Sequence, residues 1–144
     1  MSELNLQPQA AASLQRWHEM VEQQDLSALP ELLAPNVVFR SPMAHTPYPG
    51  PMVVSTILNT VLKVFNDFTY HRQLATADGL GVVLEFSAHV DGRELKGIDM
   101  IHFDEQGKIV DFEVMVRPMS GLQALGAEMG RRLGAYLAEA KAAV

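Results

Sequence analysis

The sequence predicts an α+β domain in which a curved antiparallel sheet wraps around a long helix, with further helices at both ends. The predicted order is helix, short helix, strand, helix, four strands and helix, which groups the helices on one face of a meandering sheet. The central helix, residues 52–65, is apolar around most of its circumference and should be buried. Residues 97–118 alternate apolar and polar side chains on either side of a tight turn, as a β-hairpin does. A sheet curved around a helix leaves a cone-shaped hollow, the usual place for a small-molecule site.

Composition excludes several kinds of site. The chain has 144 residues, 48% apolar and 19% charged, which predicts one domain with a sizeable core. The lack of cysteine excludes a disulfide framework, a thiol nucleophile and a zinc ribbon. A formal charge of −6, with no basic cluster beyond Arg131 and Arg132, argues against nucleic-acid binding. No apolar run approaches the ~18 residues of a membrane span, and the first ten residues do not resemble a secretory signal. We therefore expect a cytoplasmic protein with no membrane contact.

The first part of the chain predicts helices followed by one strand. We expect residues 1–9 to be flexible and residues 10–144 to form a single domain. Apolar residues recur at helical spacing over residues 10–24 and include Trp17, which could belong to the core, to a pocket wall, or to both. The next predicted elements are a short helix at 26–33, a strand at 36–41 and an irregular, proline-rich loop at 42–51 that contains His45 and Tyr48.

The remaining elements are predicted from strand alternation and from helical spacing of apolar residues. Alternation predicts strands at 68–77 and 81–90, and Asp91 with Gly92 is a strong signal for a hairpin turn. A strand beginning at Arg93 then runs into the hairpin of residues 97–118. The last helix, about 119–140, has an apolar stripe interrupted by glycines, so docking should stabilise it, either across the mouth of the cavity or on a second subunit.

Asp99 is the residue that most clearly indicates a function. It shares a strand face with Gly97, Ile101 and Phe103, and is the charged member of an otherwise apolar set. A carboxylate there must find a partner, raise its pKa or face a cavity. We expect it to line a ligand pocket; the alternative is a carboxylate satisfied by the Trp17 N–H or by a backbone donor.

The element order resembles the NTF2-like, or SnoaL-like, superfamily of α+β cones. The resemblance covers about residues 10–118, and it implies the cone fold rather than any one activity, because this superfamily hosts many functions. It is carried by LQRW at 14–17, QDL at 24–26, LLAPNVVF at 32–39, Gly50 before the central helix, IDMIHFD at 98–104 and GKI at 107–109.

Two enzyme groups of this superfamily allow a closer comparison. In the ketosteroid isomerases, an aspartate in a strand like residues 98–103 is held protonated and donates a hydrogen bond to the enolate oxygen, and Asp99 falls on that position. Ser41 stands where those enzymes have their aspartate base, and Trp17 stands where they have a tyrosine. A serine cannot abstract a carbon-bound proton near pH 7 without its own base, so authentic ketosteroid isomerase activity is disfavoured. The epoxide hydrolases have an arginine where this chain has Gly97, which argues against epoxide hydrolysis.

We therefore predict an apolar cavity with Asp99 as its polar anchor and candidate catalytic residue. The cavity suits a small hydrophobic molecule with a carbonyl or hydroxyl group, bound with or without isomerase- or cyclase-type acid–base catalysis. The alternative is a non-catalytic, dimeric interaction or scaffold domain of the NTF2 type. We expect a homodimer packed through the convex face of the sheet, no cofactor and, because the five histidines lack ligand spacing, no metal. The other expected cavity residues are Trp17, Val21, Phe39, Ser41, Phe65, Leu84, Phe86, Ile101, Phe112, Val114 and Val116, while the roles of His45, Tyr48 and His71 stay open.

Overall fold

The computed structural model describes residues 4–142, with side chains up to residue 140, and confirms the α+β prediction. No helix within the described range combines the length and apolar character needed to cross a membrane. The elements are α1 (Pro8–Glu22), a short 3-10 helix (Leu29–Leu32), β1 (Leu33–Arg40), β2 (Tyr48–Pro49), α2 (Pro51–Val64), β3 (Asn66–Ala75), β4 (Gly81–Val90), β5 (Arg93–Phe103), β6 (Ile109–Arg117) and α3 (Met119–Ala142).

The sheet has six strands in the order β2-β1-β6-β5-β4-β3 and is mixed rather than wholly antiparallel. The pairing of β1 with β6 is parallel, which the sequence prediction did not include. The physical reason is that the chain reaches β6 only after α2 and three hairpin turns, and β6 then runs beside β1 in the same direction. Two further differences are local: the short helix is a 3-10 turn, and the loop at 42–51 contains the two-residue strand β2.

Hairpin chemistry fixes the register of the central strands. Asp91 and Gly92 both have positive φ, 49° and 73°, as a two-residue turn of the favoured hairpin type requires. At the next turn Gly107 has a φ of 84°, and its N–H donates to the Asp104 carbonyl at 2.9 Å. Each side chain of β5 is thereby assigned to one face, with Asp99 directly opposite Leu84 of β4 and Val114 of β6.

Asn5 and Gln7 are tied to the turn between β3 and β4. Asn5 donates to the carbonyls of Thr76 and Ala77, both at 3.2 Å, and the Gln7 N–H donates to the Gly79 carbonyl at 2.9 Å. Helix α1 begins at Pro8, inside the stretch for which we expected flexibility; residues 1–3 of that stretch lie outside the described residues.

The core lies between the concave face of the sheet and the helices. Helix α2 buries Val54, Ile57, Leu58 and Val64 against the sheet. The absence of a side chain at Gly97 lets the Phe86 ring pack directly on β5. A Cβ at position 97 would lie 2.6 Å from Cζ of Phe86 and 2.4 Å from the carbonyl oxygen of Met115. The Phe86 ring fills the space that a side chain at position 97 would need, so an arginine there has no room, in agreement with the sequence argument against epoxide hydrolysis.

The convex face carries an ion-pair cluster in which exposed Arg72 and Lys96 side chains contact the buried Glu85. Arg72 bonds this carboxylate through Nε at 3.0 Å and Nη2 at 2.7 Å, and Lys96 Nζ lies 3.1 Å from it. The hydrogen bonds from Arg72, and then from Lys96, lower the pKa of Glu85 to about 2.

Glu85→Gln should change the acid dependence of stability. The folded-state pKa is depressed, so the ionised form stabilises the fold above the ordinary pKa of 4.5, and this contribution is lost as pH falls towards 2. We expect the variant to be less stable than the parent at pH 7, with a difference that shrinks between pH 4.5 and 2. Urea unfolding across this range measures it, with the exposed Glu22→Gln as control; a difference independent of pH would contradict the assignment.

Candidate functional site

A cavity of about 200 Å³ opens between the concave face of the sheet and all three helices. Its lining is apolar apart from a few polar groups, of which Asp99 is the carboxyl. The lining residues come from every layer of the fold: Trp17, Val21, Leu26, Phe39, Ser41, Pro42, Met43, Tyr48, Ile57, Leu58, Val61, Leu62, Phe65, Phe68, Tyr70, Asp99, Phe112, Val114, Leu125, Gly126, Met129, Gly130 and Leu137.

A chain of two hydrogen bonds crosses the cavity wall and ends on Asp99. Trp17 Nε1 donates to the Tyr70 hydroxyl at 3.0 Å, and that hydroxyl donates to Asp99 Oδ2 at 2.6 Å. Asp99 is 6% exposed. Within the described residues its other oxygen, Oδ1, receives no hydrogen bond. One carboxyl oxygen is therefore bonded within the protein, and the other is not.

Burial raises the pKa values of both Asp99 and Tyr70. Desolvation raises the pKa of Asp99 to about 7, and the hydrogen bond from Tyr70 opposes that rise. The pKa of Tyr70 is raised well above its usual value by desolvation, then by the charge and hydrogen bond of Asp99, while the bond from Trp17 lowers it. Near pH 7 Asp99 can therefore both accept and donate a proton, as a general acid–base group must.

Aromatic packing holds both donors in place. The Trp17 ring meets Phe112 edge-on, with ring centroids 5.3 Å apart. Tyr70 meets Phe68 edge-on at 4.8 Å and His18 at 5.2 Å. The rings restrict Tyr70 on two sides, so its hydroxyl points at the carboxyl without rearrangement.

Tyr70 is the site residue that sequence reasoning missed. Alternation along β3 places it on the same face as Phe68, and its register partner on β4 is Phe86. An inward-facing tyrosine needs a partner for its hydroxyl, and that is the signal that could have linked it to Asp99. The structure also settles which donor satisfies Asp99, because the Trp17 N–H reaches Tyr70 instead of the carboxylate.

Most residues predicted to form the cavity border it, and four do not. Trp17, Val21, Phe39, Ser41, Phe65, Asp99, Phe112 and Val114 line it. Leu84, Phe86, Ile101 and Val116 do not, although they lie on strands that face it. Phe86 shows the reason, since the rings of Phe65 and Phe68, with centroids 5.4 and 5.0 Å away, cover it from the cavity. Alternation identified the correct face of each strand but not the depth of each side chain.

The other candidate residues differ in whether they border the cavity. Ser41 lines the cavity, and its Oγ accepts a hydrogen bond from the Met43 N–H at 3.0 Å. Tyr48 also lines the cavity, whereas His45 does not. His71 Nε2 lies 2.7 Å from Ser87 Oγ and also lies away from the cavity. Across the part of the chain that is described, no group of three or more His, Asp or Glu side chains comes together in a way that could hold a metal.

Helix α3 covers the mouth of the cavity. Five of its residues line it: Leu125, Gly126, Met129, Gly130 and Leu137. This is one of the two locations that the sequence left open for this helix, and docking on a second subunit stays a prediction.

Comparison with known proteins supports the predicted superfamily. A model of the SnoaL-like domain matches residues 14–112. A steroid delta-isomerase from Pseudomonas aeruginosa is similar in structure, with 70% identity, a TM-score of 0.91, and coverage of 94% of this chain and 99% of that one. A protein with a cystatin-like fold from Silicibacter pomeroyi has 34% identity, a TM-score of 0.78 and 84% coverage of each chain.

A third structure extends the likeness of fold. An NTF2-like protein from Mesorhizobium loti has 18% identity and a TM-score of 0.66, covering 76% of this chain and 92% of that chain. No curated protein matches. The resemblance to the NTF2-like and SnoaL-like superfamily, drawn from the sequence, is thereby confirmed.

Asp99→Asn should stabilise the protein selectively at neutral pH. The folded-state pKa is raised, so the folded protein keeps a proton that the unfolded chain releases between about pH 4 and 7, and the parent loses stability across that window. The rise in the pKa of Asp99 corresponds to a change in unfolding free energy on the order of 4 kcal/mol. We expect the variant to gain relative to the parent by up to that amount as pH rises from 4 to 8, measured by chemical unfolding. Asp91→Asn, in an exposed turn, is the control. An offset that stays constant with pH would contradict the burial of Asp99.

Proposed function

Because the chain belongs to the SnoaL-like family, we propose that its cavity binds a small hydrophobic carbonyl or hydroxyl compound and transfers a proton within it through Asp99. The observation that carries this proposal is a buried carboxyl that lines an apolar cavity, with one oxygen bonded by Tyr70 and the other without a hydrogen bond from the described residues. The similarity to a steroid delta-isomerase from Pseudomonas aeruginosa supports an isomerase-type reaction.

The proposed reaction uses one carboxyl twice. Ionised Asp99 takes a proton from the carbon beside the substrate carbonyl, and the electrons of that C–H bond become the enolate π system. Neutral Asp99 then returns the same proton to a different carbon of the conjugated system, and the carbonyl re-forms. This assignment follows from the lining, in which Ser41 stands at the position of a second carboxylate and Asp99 is the carboxyl present. A pKa of about 7 suits both steps.

Tyr70 is the proposed donor to the enolate oxygen. While Asp99 is ionised, the Tyr70 hydroxyl is committed to it at 2.6 Å. When Asp99 takes the substrate proton, this charge-assisted bond weakens and the hydroxyl is free to turn towards the developing oxyanion. Loss of the Asp99 charge also removes one of the causes that raise the pKa of Tyr70, which makes the hydroxyl a stronger donor at the moment it is needed. The Trp17 N–H keeps the phenol oxygen in place throughout.

Variants of Asp99 and Tyr70 should separate proton transfer from stabilisation of the enolate oxygen. Asp99→Asn should abolish isomerisation of a β,γ-unsaturated ketone, and Tyr70→Phe should lower kcat by about 10²–10³-fold, the usual effect of losing one oxyanion donor. In the parent, kcat/KM should rise with pH around an apparent pKa of about 7, because the ionised carboxyl starts the reaction. Tyr70→Phe should move that pKa upward, because the bond it removes lowers the pKa of Asp99.

Matched controls are available for both changes. Tyr136→Phe lies on α3 and does not line the cavity, and Asp91→Asn lies in an exposed turn. Both should keep parental kinetics. Turnover by Asp99→Asn at the parental rate would refute the catalytic role, and ligand binding by the parent without any turnover would instead identify a binding protein.

The convex face supports a homodimer, which we propose as the assembly of this chain. Along β5 and β6, Lys96 lies opposite Arg117 at one end, Ile98 lies opposite Met115 in the middle, and Glu113 follows towards the other end. Met115 is 47% exposed. A two-fold axis through the apolar middle would place the basic end of one copy over the acidic end of the other, so the surface is complementary to itself. A dimer without turnover would match the scaffold alternative.

Sedimentation equilibrium tests the dimer directly. Met115→Lys places a charge at the centre of the proposed contact and should convert the dimer to a monomer. Met52→Lys is the matched control, because Met52 is 79% exposed on α2, away from the sheet, and should leave the assembly unchanged. A parental protein that is monomeric at high concentration would refute the proposal.

A further inference from the structure

We infer that the substrate of this site is a compact carbonyl compound of one or two rings, and that α3 imposes this limit. The inference rests on the proposed function, since it concerns the molecule that Asp99 would anchor. It depends on three features of the structure: the volume of the cavity, the way α3 is fixed over it, and the position of Gly130 at its mouth.

The volume of the cavity favours a small ligand. Drug-sized ligands occupy sites of roughly 300–1,000 Å³. A cavity of about 150 Å³ holds a benzene molecule. The cavity here, about 200 Å³, lies between these values and has room for one substituted ring or two compact fused rings. A four-ring skeleton whose oxygen reached Asp99 would not fit within this volume.

Helix α3 is fixed at its first turns rather than resting loosely on the sheet. Gly121 approaches β5 so closely that a Cβ would lie 2.7 Å from Cβ of Leu95 and 2.9 Å from the Glu94 carbonyl oxygen. One turn later Leu125 is buried, with 3% exposure. Movement of the helix to admit a long ligand would break this packing.

Further along α3, Gly126 allows the loop after β1 to pack against the helix. Gly126 lies against Met43, whose Cε would be 2.4 Å from a Cβ at that position. Because Met43 belongs to the loop after β1 and also lines the cavity, the loop and α3 meet at the rim of the cavity.

Gly130 marks the remaining opening. It lines the cavity, is exposed, and a Cβ placed on it would have no neighbour within 4 Å. A side chain there would project into the open space of the mouth. Gly134, one turn further, also has no neighbour within 4 Å of its Cβ position, but it does not line the cavity. The two glycines therefore form a matched pair in the same helix, one at the mouth and one away from it.

A size series of β,γ-unsaturated ketones tests the inference. Cyclohex-3-enone, a two-ring β,γ-octalone and a four-ring β,γ-unsaturated steroid ketone each become conjugated on isomerisation, and ultraviolet absorbance follows the product. We expect kcat/KM for the best one- or two-ring ketone to exceed that for the steroid by about 10-fold or more, since a pocket discriminates at least that strongly against excess bulk. Equal or faster turnover of the steroid would overturn the size limit and leave the proposed function intact. A lack of binding and turnover across the whole series would refute both.

Substitutions at the two glycines test the role of α3. Gly130→Leu should lower kcat/KM for the octalone by about 10-fold or more, and Gly134→Leu should leave it within about twofold. Both replace a helix-interior glycine with a better helix former, so a general effect on α3 would change the two variants equally. Equal loss in both, or no loss in Gly130→Leu with parental thermal stability, would overturn the assignment of Gly130 to the entrance.

Discussion

The two hydrogen bonds that join Trp17, Tyr70 and Asp99 constrain the rest of this structure. They connect α1, β3 and β5, so the helix and the two strands must all be in place for both bonds to form. An isolated carboxyl in this apolar setting would be costly, and Tyr70 relieves that cost at one oxygen only. The curvature of the sheet and the aromatic layer around Tyr70 bring these three side chains together. The result is a buried acid with one oxygen bonded by Tyr70 and the other without a hydrogen bond from the described residues.

Two carboxyl groups, on opposite faces of one sheet, have pKa values shifted in opposite directions. Glu85 lies across from Ile98, the residue before Asp99, so the two acids are close in the sheet but project from opposite faces. On the convex face, hydrogen bonds from Arg72 and Lys96 favour the charged form of Glu85 and lower its pKa. On the concave face, loss of water favours the neutral form of Asp99 and raises its pKa. Alternation along a strand therefore decides which acid is structural and which can exchange protons at neutral pH.

Local patterns in the sequence predicted most of the fold and the central acid, because strand alternation, the turn at Asp91 and Gly92 and the apolar helix are properties of adjacent residues. The features that were missed depend on distant parts of the chain. Tyr70 meets Asp99 through the pairing of β3 with β4, where two register shifts intervene. The parallel pairing of β1 with β6 joins residues about 70 positions apart, as Arg40 and Glu113 show. Phe86 was placed on the correct face but at the wrong depth, because depth depends on the rings of Phe65 and Phe68 that cover it.

The division between sheet and terminal helix has a consequence for divergence within the family. The matched family segment ends at residue 112, whereas α3 begins at Met119. The acid and its partners belong to the shared segment, and the cover of the cavity belongs to the part beyond it. Two members could therefore keep the same buried acid and enclose cavities of different shape after exchange of a single helix. Similarity over the cone therefore says more about the surroundings of the acid than about the shape of the space that the last helix encloses.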